Sequence, residues 1–489
     1  MDEDTNVRNV SKKIFLDSLV CPTLGWVARS RAFDDRIGEL SLADRFRVQQ
    51  GIEIGRRARE LYPSGILIDE GNVASACRRT KIMLGRADIS AIFEATFAVD
   101  GYTAKADILE REDEGWRIVE VKSSVNDRKE FIDDMAYTTM VVKRCGLEIT
   151  DTSLLLISRD FKLGMENEKL FEKVNHTPDV LRRAEEFTRL WSTIEKMTRS
   201  PLKPDPELRL DCRTCRLFKE CLGENIEHHI LDIPRLTESK LIELAQLGIV
   251  CVEDIPDAFS LTESQLRVRD CVKTRKPFIE DGLKSALQSV SWPAYYLDFE
   301  TVMTAIPFYA GIAPYTQLPT QYSIHKCSKL GQVTDHFEYL ADPSRDCRRE
   351  IAENLIDVLR EGGSIIVYSH FEKSIMTKLA ALFPDLAIGL ASLITRIVNL
   401  EAMIRQNFYH PDFHGSTSIK RTLPVLVSDM SYDHLEIADG GSAMAAFGYL
   451  ILGKAGKKTL ERLRRDLLDY CKQDTLAMVR LHQRLAEYV

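Results

Sequence analysis

The sequence predicts a multidomain protein of mixed α/β class, on three observations. Its 489 residues exceed what one hydrophobic core usually organises, and 44% apolar residues suffice for two or three cores. Helical and strand periodicities alternate along the chain and end in a long amphipathic helix. Two carboxylate constellations lie on either side of a cysteine group: Asp107 with Glu120 and Lys122, and Asp298 and Glu300 with Tyr470 and Asp474. The cysteine group is Cys212-x-x-Cys215 followed by Cys221.

Charge and cysteine usage narrow the class. A net charge of -8 excludes a protein coated in phosphate-binding charge, but leaves room for a local basic groove. Arg56, Arg57 and Arg59, then Arg78, Arg79, Lys81 and Arg86, either line such a groove or form solvated helix faces. Eleven cysteines without a dense framework suggest free thiols with a few metal ligands. The N-terminal MDEDTNVRNVSKK has no apolar h-region, and no apolar run approaches the roughly 20 residues of a spanning helix, so a cytoplasmic protein without membrane association is expected.

The elements follow in order. Residues 1–225 alternate helix and strand patterns and close on the Pro-rich stretch Pro201-Leu-Lys-Pro204-Asp-Pro206. Residues 226–290 carry two similar helix starts, Leu236-Thr-Glu-Ser-Lys-Leu241 and Leu261-Thr-Glu-Ser-Gln-Leu266, and read as a helical connector. Gly248 at the end of the first helix gives this segment a weak likeness to a helix-hairpin-helix backbone clamp with an incomplete glycine pattern. Residues 291–489 open on the strand Ala294-Tyr-Tyr-Leu-Asp-Phe-Glu300 and contain the apolar Ser364-Ile-Ile-Val-Tyr368.

In the first part, Thr103–Glu110 and Trp116–Lys122 predict an antiparallel hairpin around Asp113-Glu114. That register sets Asp107 opposite Glu120, with Glu120 and Lys122 on one face. Magnesium or manganese prefers such oxygen ligands and activates water towards a phosphodiester, while Lys122 orients that water or offsets phosphate charge. Asp…Glu-x-Lys also occurs by chance on solvated strands.

The order of these residues over about 11–225 resembles the PD-(D/E)XK nuclease superfamily, and more closely its RecB-like branch, with a restriction-endonuclease-like core. The early Cys21-Pro22 and the C-x-x-C-x5-C group of Cys212, Cys215 and Cys221 match that branch. The resemblance implies a 4Fe-4S cluster on these four cysteines. From the residues alone, structural zinc with His228 or His229 as fourth ligand stays open. The sequence departs from the branch where Gly55-Arg-Arg-Ala-Arg59 replaces a glycine-to-histidine motif, and where Thr138 and Thr139 follow Tyr137 in place of glutamine.

In the last part, strand alternation directs Asp298 and Glu300 to one side and Phe299 to the other, while Tyr470 and Asp474 share a helix face. Over about 293–489 this order resembles the DEDD exonucleases of the RNase H-like fold, in their tyrosine-containing subgroup: a mixed sheet flanked by helices. By resemblance Asp298, Glu300, Glu372 and Asp474 hold two ions about 3.5 to 4 Å apart, and Tyr470 positions the attacking water. Glu372 stands where an aspartate is usual, and Asn399 where related chains have an Asp-Leu pair. Gln317–His325, Gly415–Lys420 and Tyr470–Thr475 further resemble a bacterial family joining a RecB-like half to such a domain. Ser416–Ser418 either simply cap a helix or, with Lys420, offer a phosphate site at its N-terminus.

The expected function is therefore a metal-dependent nuclease acting on nucleic acid, DNA by preference, by 3′-to-5′ removal of nucleotides. DNA processing, repair or defence, with a helicase or defence-system partner, fits this reading. The other class left open is an adaptor that binds nucleic acid through two degenerate nuclease folds and recruits another enzyme.

Overall fold

A computed structural model describes residues 8–30, 40–453 and 456–489. The chain is a mixed α/β protein that divides into two compact units: residues 1–207 with 303–316, and residues 208–302 with 317–489. The boundary expected near residue 225 lies at 207/208, and the expected connector 226–290 is part of the second unit. Its apolar residues, Ile230, Leu241, Val252 and Val268 among them, share one core with Phe408 and the C-terminal residues Met478 and Leu485. A connector would leave that surface in water; here it is core.

The first unit is built on a six-stranded mixed sheet in sequential order: β1 (Gly65–Leu67), β2 (Ala91–Val99), β3 (Tyr102–Glu112), β4 (Gly115–Val121), β5 (Ile149–Ile157) and β6 (Phe171–Asn175). β1 runs parallel to β2 and β4 to β5; the other neighbours are antiparallel. β3 and β4 pair as the expected hairpin, Glu112 with Gly115 and Ile108 with Val119, so the next step of the register sets Asp107 across from Glu120. Helices Lys12–Val20, Lys129–Arg144 and Thr177–Arg199 cover one face, where Phe15 packs against Tyr137 and Phe187. The buried Tyr137 hydroxyl donates to the Val10 and Thr103 carbonyls, and Thr138 and Thr139 are fully buried beside it. The tyrosine-threonine segment is therefore core. Residues 303–316 belong to this unit through Ala305, whose amide donates to Gln50 Oε1 at 2.8 Å.

The second unit adds β7 (Phe278–Ile279), β8 (Ala294–Val302), β9 (Leu318–Lys329), β10 (Gln332–Leu340), β11 (Ile365–Val367), β12 (Ile397–Asn399) and β13 (Phe408–Tyr409). Its main sheet has the order β10-β9-β8-β11-β12: three antiparallel strands followed by two parallel ones. Alternation divides β8 cleanly. Tyr295, Leu297 and Phe299 pack into a core with Ile351, Ile375 and Leu390. Ala294 and Tyr296 face the core of the C-terminal helix Lys457–Ala486, where Tyr296 Oη lies 2.8 Å from His482 Nδ1. That contact fixes the register of helix on strand.

Entry to β11 depends on Gly363. Its φ is +83°, and an added Cβ would lie 1.8 Å from the Pro293 carbonyl oxygen. Gly363→Ala is expected to destabilise the protein by about 2 kcal/mol or more in urea unfolding, since both backbone and contact must shift. A change below about 0.5 kcal/mol, the range of ordinary surface substitutions, contradicts this packing.

Candidate active site

Along β8, the apolar face of Ala294 and Tyr296 gives way to Asp298 and Glu300 on the same side. On the opposing helix, His482 meets Tyr296, and three turns towards the N-terminus Cys471 Sγ lies 3.5 Å from Asp298 Oδ2. Asp474 is thereby carried to the strand acids. Asp298, Glu300 and Asp474 each offer an oxygen within 4.8 Å of the others. Glu372, in the first turn of helix Phe371–Leu382, is 3% exposed, and its Oε2 is buried with no hydrogen-bond partner.

The electrostatics follow from burial and like charge. Burial, then Asp474, Glu300 and Glu372, pushes the Asp298 carboxyl well above its usual range. Burial and the neighbouring acids raise Glu300 to about 8. Glu372 is raised to about 7 by burial and Asp474. Asp474 rises to about 6 through burial, although Tyr432 and Tyr470 donate to it and Lys420 opposes the shift. Four carboxyl groups facing one another, with Lys420 as a cationic neighbour, form a donor set that fits divalent cations.

Lys420 is held beside the acids by donating to the Ala438 carbonyl at 3.0 Å. Ser418 stands at the N-cap of helix Ile419–Leu426, but its side chain makes no capping bond. Asn399 does cap: its Oδ1 accepts from the Ala402 amide at 2.7 Å, which occupies the side chain at the position of the usual aspartate.

Tyr432 is a site residue that the sequence patterns do not show. Its hydroxyl donates to Asp474 Oδ1, and its ring lies 6.2 Å from that of Tyr470. It sits between helices in Ser431-Tyr432-Asp433, where no periodicity marks it. Because the donated bond favours ionised Asp474, Tyr432→Phe is expected to move the acid limb of a pH–rate profile upward by about one pH unit. An unmoved limb contradicts that positioning role.

The first constellation has a different charge balance. Glu120 is 3% exposed and accepts from Lys122 Nζ at 2.9 Å and Lys12 Nζ at 2.8 Å. Burial alone would raise its carboxyl, but the two ammonium groups hold it at about 2. Asp107 accepts from the Val121 amide at 2.8 Å, and burial with the charge of Glu120 raises it to about 7. Burial works against the Lys122 charge, but Glu120 and Asp134 together raise its pKa. Lys12, from the N-terminal helix, is a neutralising partner the sequence reading lacks. Glu94 is another neighbour: its charge acts on Asp107, and it holds φ of +57°, uncommon for a residue other than glycine.

Cys21 and Cys215 carry free thiols. Cys21 belongs to the first unit, and Cys212, Cys215 and Cys221 to the second. Among the described residues, the compact donor sets contain no cysteine. His229 Nδ1 instead accepts from the Leu231 amide, and His228 groups with Asp232 and His414, so neither histidine completes a compact zinc set with the three thiols. Among the described residues no helix is long and apolar enough to cross a membrane.

A family model described as a domain of unknown function (DUF2779) matches residues 295–418, roughly a quarter of the chain. The matched stretch contains Asp298, Glu300, Glu372 and Asn399, and stops short of Lys420, Tyr470 and Asp474. No curated protein matches the chain.

Proposed function

We propose that the protein is a metal-dependent nuclease whose working centre is the cluster Asp298, Glu300, Glu372 and Asp474. The observation that carries this reading is the convergence of acids, Glu372 and Asp474 buried and Asp298 and Glu300 half-buried, from a strand, a helix start and the C-terminal helix, with one Glu372 oxygen left without a partner. Burying such a set is costly unless cations complete it. The sheet order, three antiparallel strands and then two parallel, supports an RNase H-like core.

In this reading the four carboxylates hold magnesium or manganese, which supplies water activation and stabilisation of the leaving oxygen. Asp298 and Glu300 are fixed by strand alternation, and Asp474 by the Tyr432 bond. Tyr470 stands at the edge of the cluster, where its hydroxyl orients a water. Lys420 faces the same acids and offers a cation to a phosphate. The substrate class is nucleic acid, with DNA preferred and nucleotides removed 3′ to 5′.

The first unit, a mixed sheet with Asp107 and Glu120 paired across its hairpin, supports the PD-(D/E)XK likeness. Its acids are offset by Lys12 and Lys122, and its tyrosine-threonine segment is core, which favours a nucleic-acid-holding role for that half. The sequence resemblance adds a four-iron cluster on Cys21, Cys212, Cys215 and Cys221; iron and sulfide analysis of anaerobically purified protein tests it.

End-labelled single- and double-stranded DNA and RNA, incubated with anaerobically purified protein and manganese, test the activity. Mononucleotides released from the 3′ end are expected. Intact substrates with folded, manganese-saturated protein overturn the reading in favour of a binding adaptor.

A further inference from the structure

A second donor set lies apart in sequence from the acids of the candidate active site and differs from them in chemistry. His228, Asp232 and His414 each present a ligand atom within 4.8 Å of the others. Two are imidazoles, which suit zinc and the later transition metals; the four acids suit magnesium and manganese.

The backbone builds this place with care. His228 is anchored through its carbonyl, which accepts from the Val252 amide at 2.9 Å, and the next residue, His229, bridges to Cys251. The chain then turns through the short 3₁₀ helix Ile230–Asp232, whose Ile230 and Leu231 are buried in the core. A second 3₁₀ turn, Pro411–Phe413, buries Phe413 in the same core and ends on His414 in the left-handed conformation, φ +48°. Gly415 follows at φ +74°, and a Cβ there would lie 1.7 Å from the Asp232 carbonyl oxygen. Only glycine allows the two turns to close so tightly, and the Gly415 amide donates to Tyr409 Oη at 2.8 Å.

The side chains continue the same arrangement. His414 Nδ1 lies 3.0 Å from Asp232 Oδ2, the contact by which a carboxylate orients a metal-binding imidazole. The His228 and His414 rings stack with centroids 5.1 Å apart. His228 is 8% exposed, yet its Nδ1 is buried without a hydrogen-bond partner. A histidine serving only as core filling has both nitrogens matched or in water; this one has a buried nitrogen that a metal ion would satisfy. The exposed Glu227 and Asp412 form an overlapping set with His228 and supply oxygen donors from the solvent side.

We propose that His228 and His414, with Asp232, form a transition-metal site of the zinc class that staples segment 227–232 to segment 411–415. Its ligands are distinct from the four acids and from the cysteines. Its position six residues before Lys420 makes it a clasp on the loop that leads to that lysine.

The test uses the full chain, stripped with chelator and then equilibrated with zinc alone. Metal content is compared for wild type, Cys215→Ser, His228→Gln, His414→Gln and Asp232→Asn. The two histidine variants are expected to take up about one equivalent less than wild type, and Asp232→Asn to bind zinc about 10- to 100-fold more weakly. Cys215→Ser keeps the histidine-site equivalent. Cobalt bound to Cys215→Ser should give visible ligand-field bands without thiolate charge-transfer absorption, and His414→Gln added to it should remove them. His414 is part-exposed, so its replacement keeps the test readable if His228→Gln fails to fold. Undiminished zinc uptake by His414→Gln, or loss of all uptake in Cys215→Ser, overturns the proposal.

Discussion

Asp298→Asn is expected to lower manganese-dependent nucleotide release by at least about a thousandfold, equivalent to about 4 kcal/mol of transition-state stabilisation. The expectation rests on the place of Asp298 in the acid cluster, where the charges of Asp474, Glu300 and Glu372 all act on it. Asparagine keeps the volume and removes the charge, so β8 and its packed face of Tyr295, Leu297 and Phe299 stay in place. Unchanged circular dichroism and melting separate lost chemistry from lost fold. Asp107→Asn is expected to leave release within about threefold of wild type, because a change that small is under 1 kcal/mol. A variant of Asp298 that digests DNA at the wild-type rate removes the cluster from the mechanism.

The second large effect is on stability. Carboxyls raised in the folded state stabilise fully below their unfolded values of about 4, and that contribution is lost as pH rises through the folded values. Glu300 at about 8, Glu372 at about 7 and Asp107 at about 7 place the loss between roughly pH 4 and 8. The buried His325 and His482, held down to about 4 by burial, act in the opposite direction, but only as pH falls from about 6.5. Glu120, held at about 2, contributes stability that is lost only below about pH 4.5. Above the histidines' window, metal-free protein should therefore melt progressively lower from pH 6.5 to 8, by on the order of a few kcal/mol in total. Manganese takes over from the protons and should raise the melting temperature most at the alkaline end. Glu300→Gln should flatten the metal-free profile. A melting temperature that is level across this window, with and without manganese, contradicts the buried-acid account.

Much of the candidate site was legible because it obeys local periods. Alternation placed Asp298 and Glu300 on one side of β8, helical spacing aligned Tyr470 with Asp474, and the two-residue turn at Asp113 and Glu114 set the Asp107 and Glu120 register. What remained hidden depends on contacts without a local signature. Lys12 reaches Glu120 across 108 residues, and Tyr432 reaches Asp474 across 42 from an irregular segment. The connector was misjudged for a related reason. Its helices Glu238–Gln246 and Glu263–Thr274 carry short apolar stripes, and only the fold shows that these stripes share a core with the C-terminal helix. The incorporation of residues 303–316 into the first unit leaves no mark in composition at all.

The central claim is that the working metal centre is the four-acid cluster and not the lysine-neutralised pair. Calorimetric titration of manganese into wild type, Asp107→Ala and Asp298→Ala tests it most directly. The account predicts a binding heat that is preserved in Asp107→Ala and lost in Asp298→Ala. Heat preserved in Asp298→Ala and lost in Asp107→Ala would contradict it and move the active centre to the first unit.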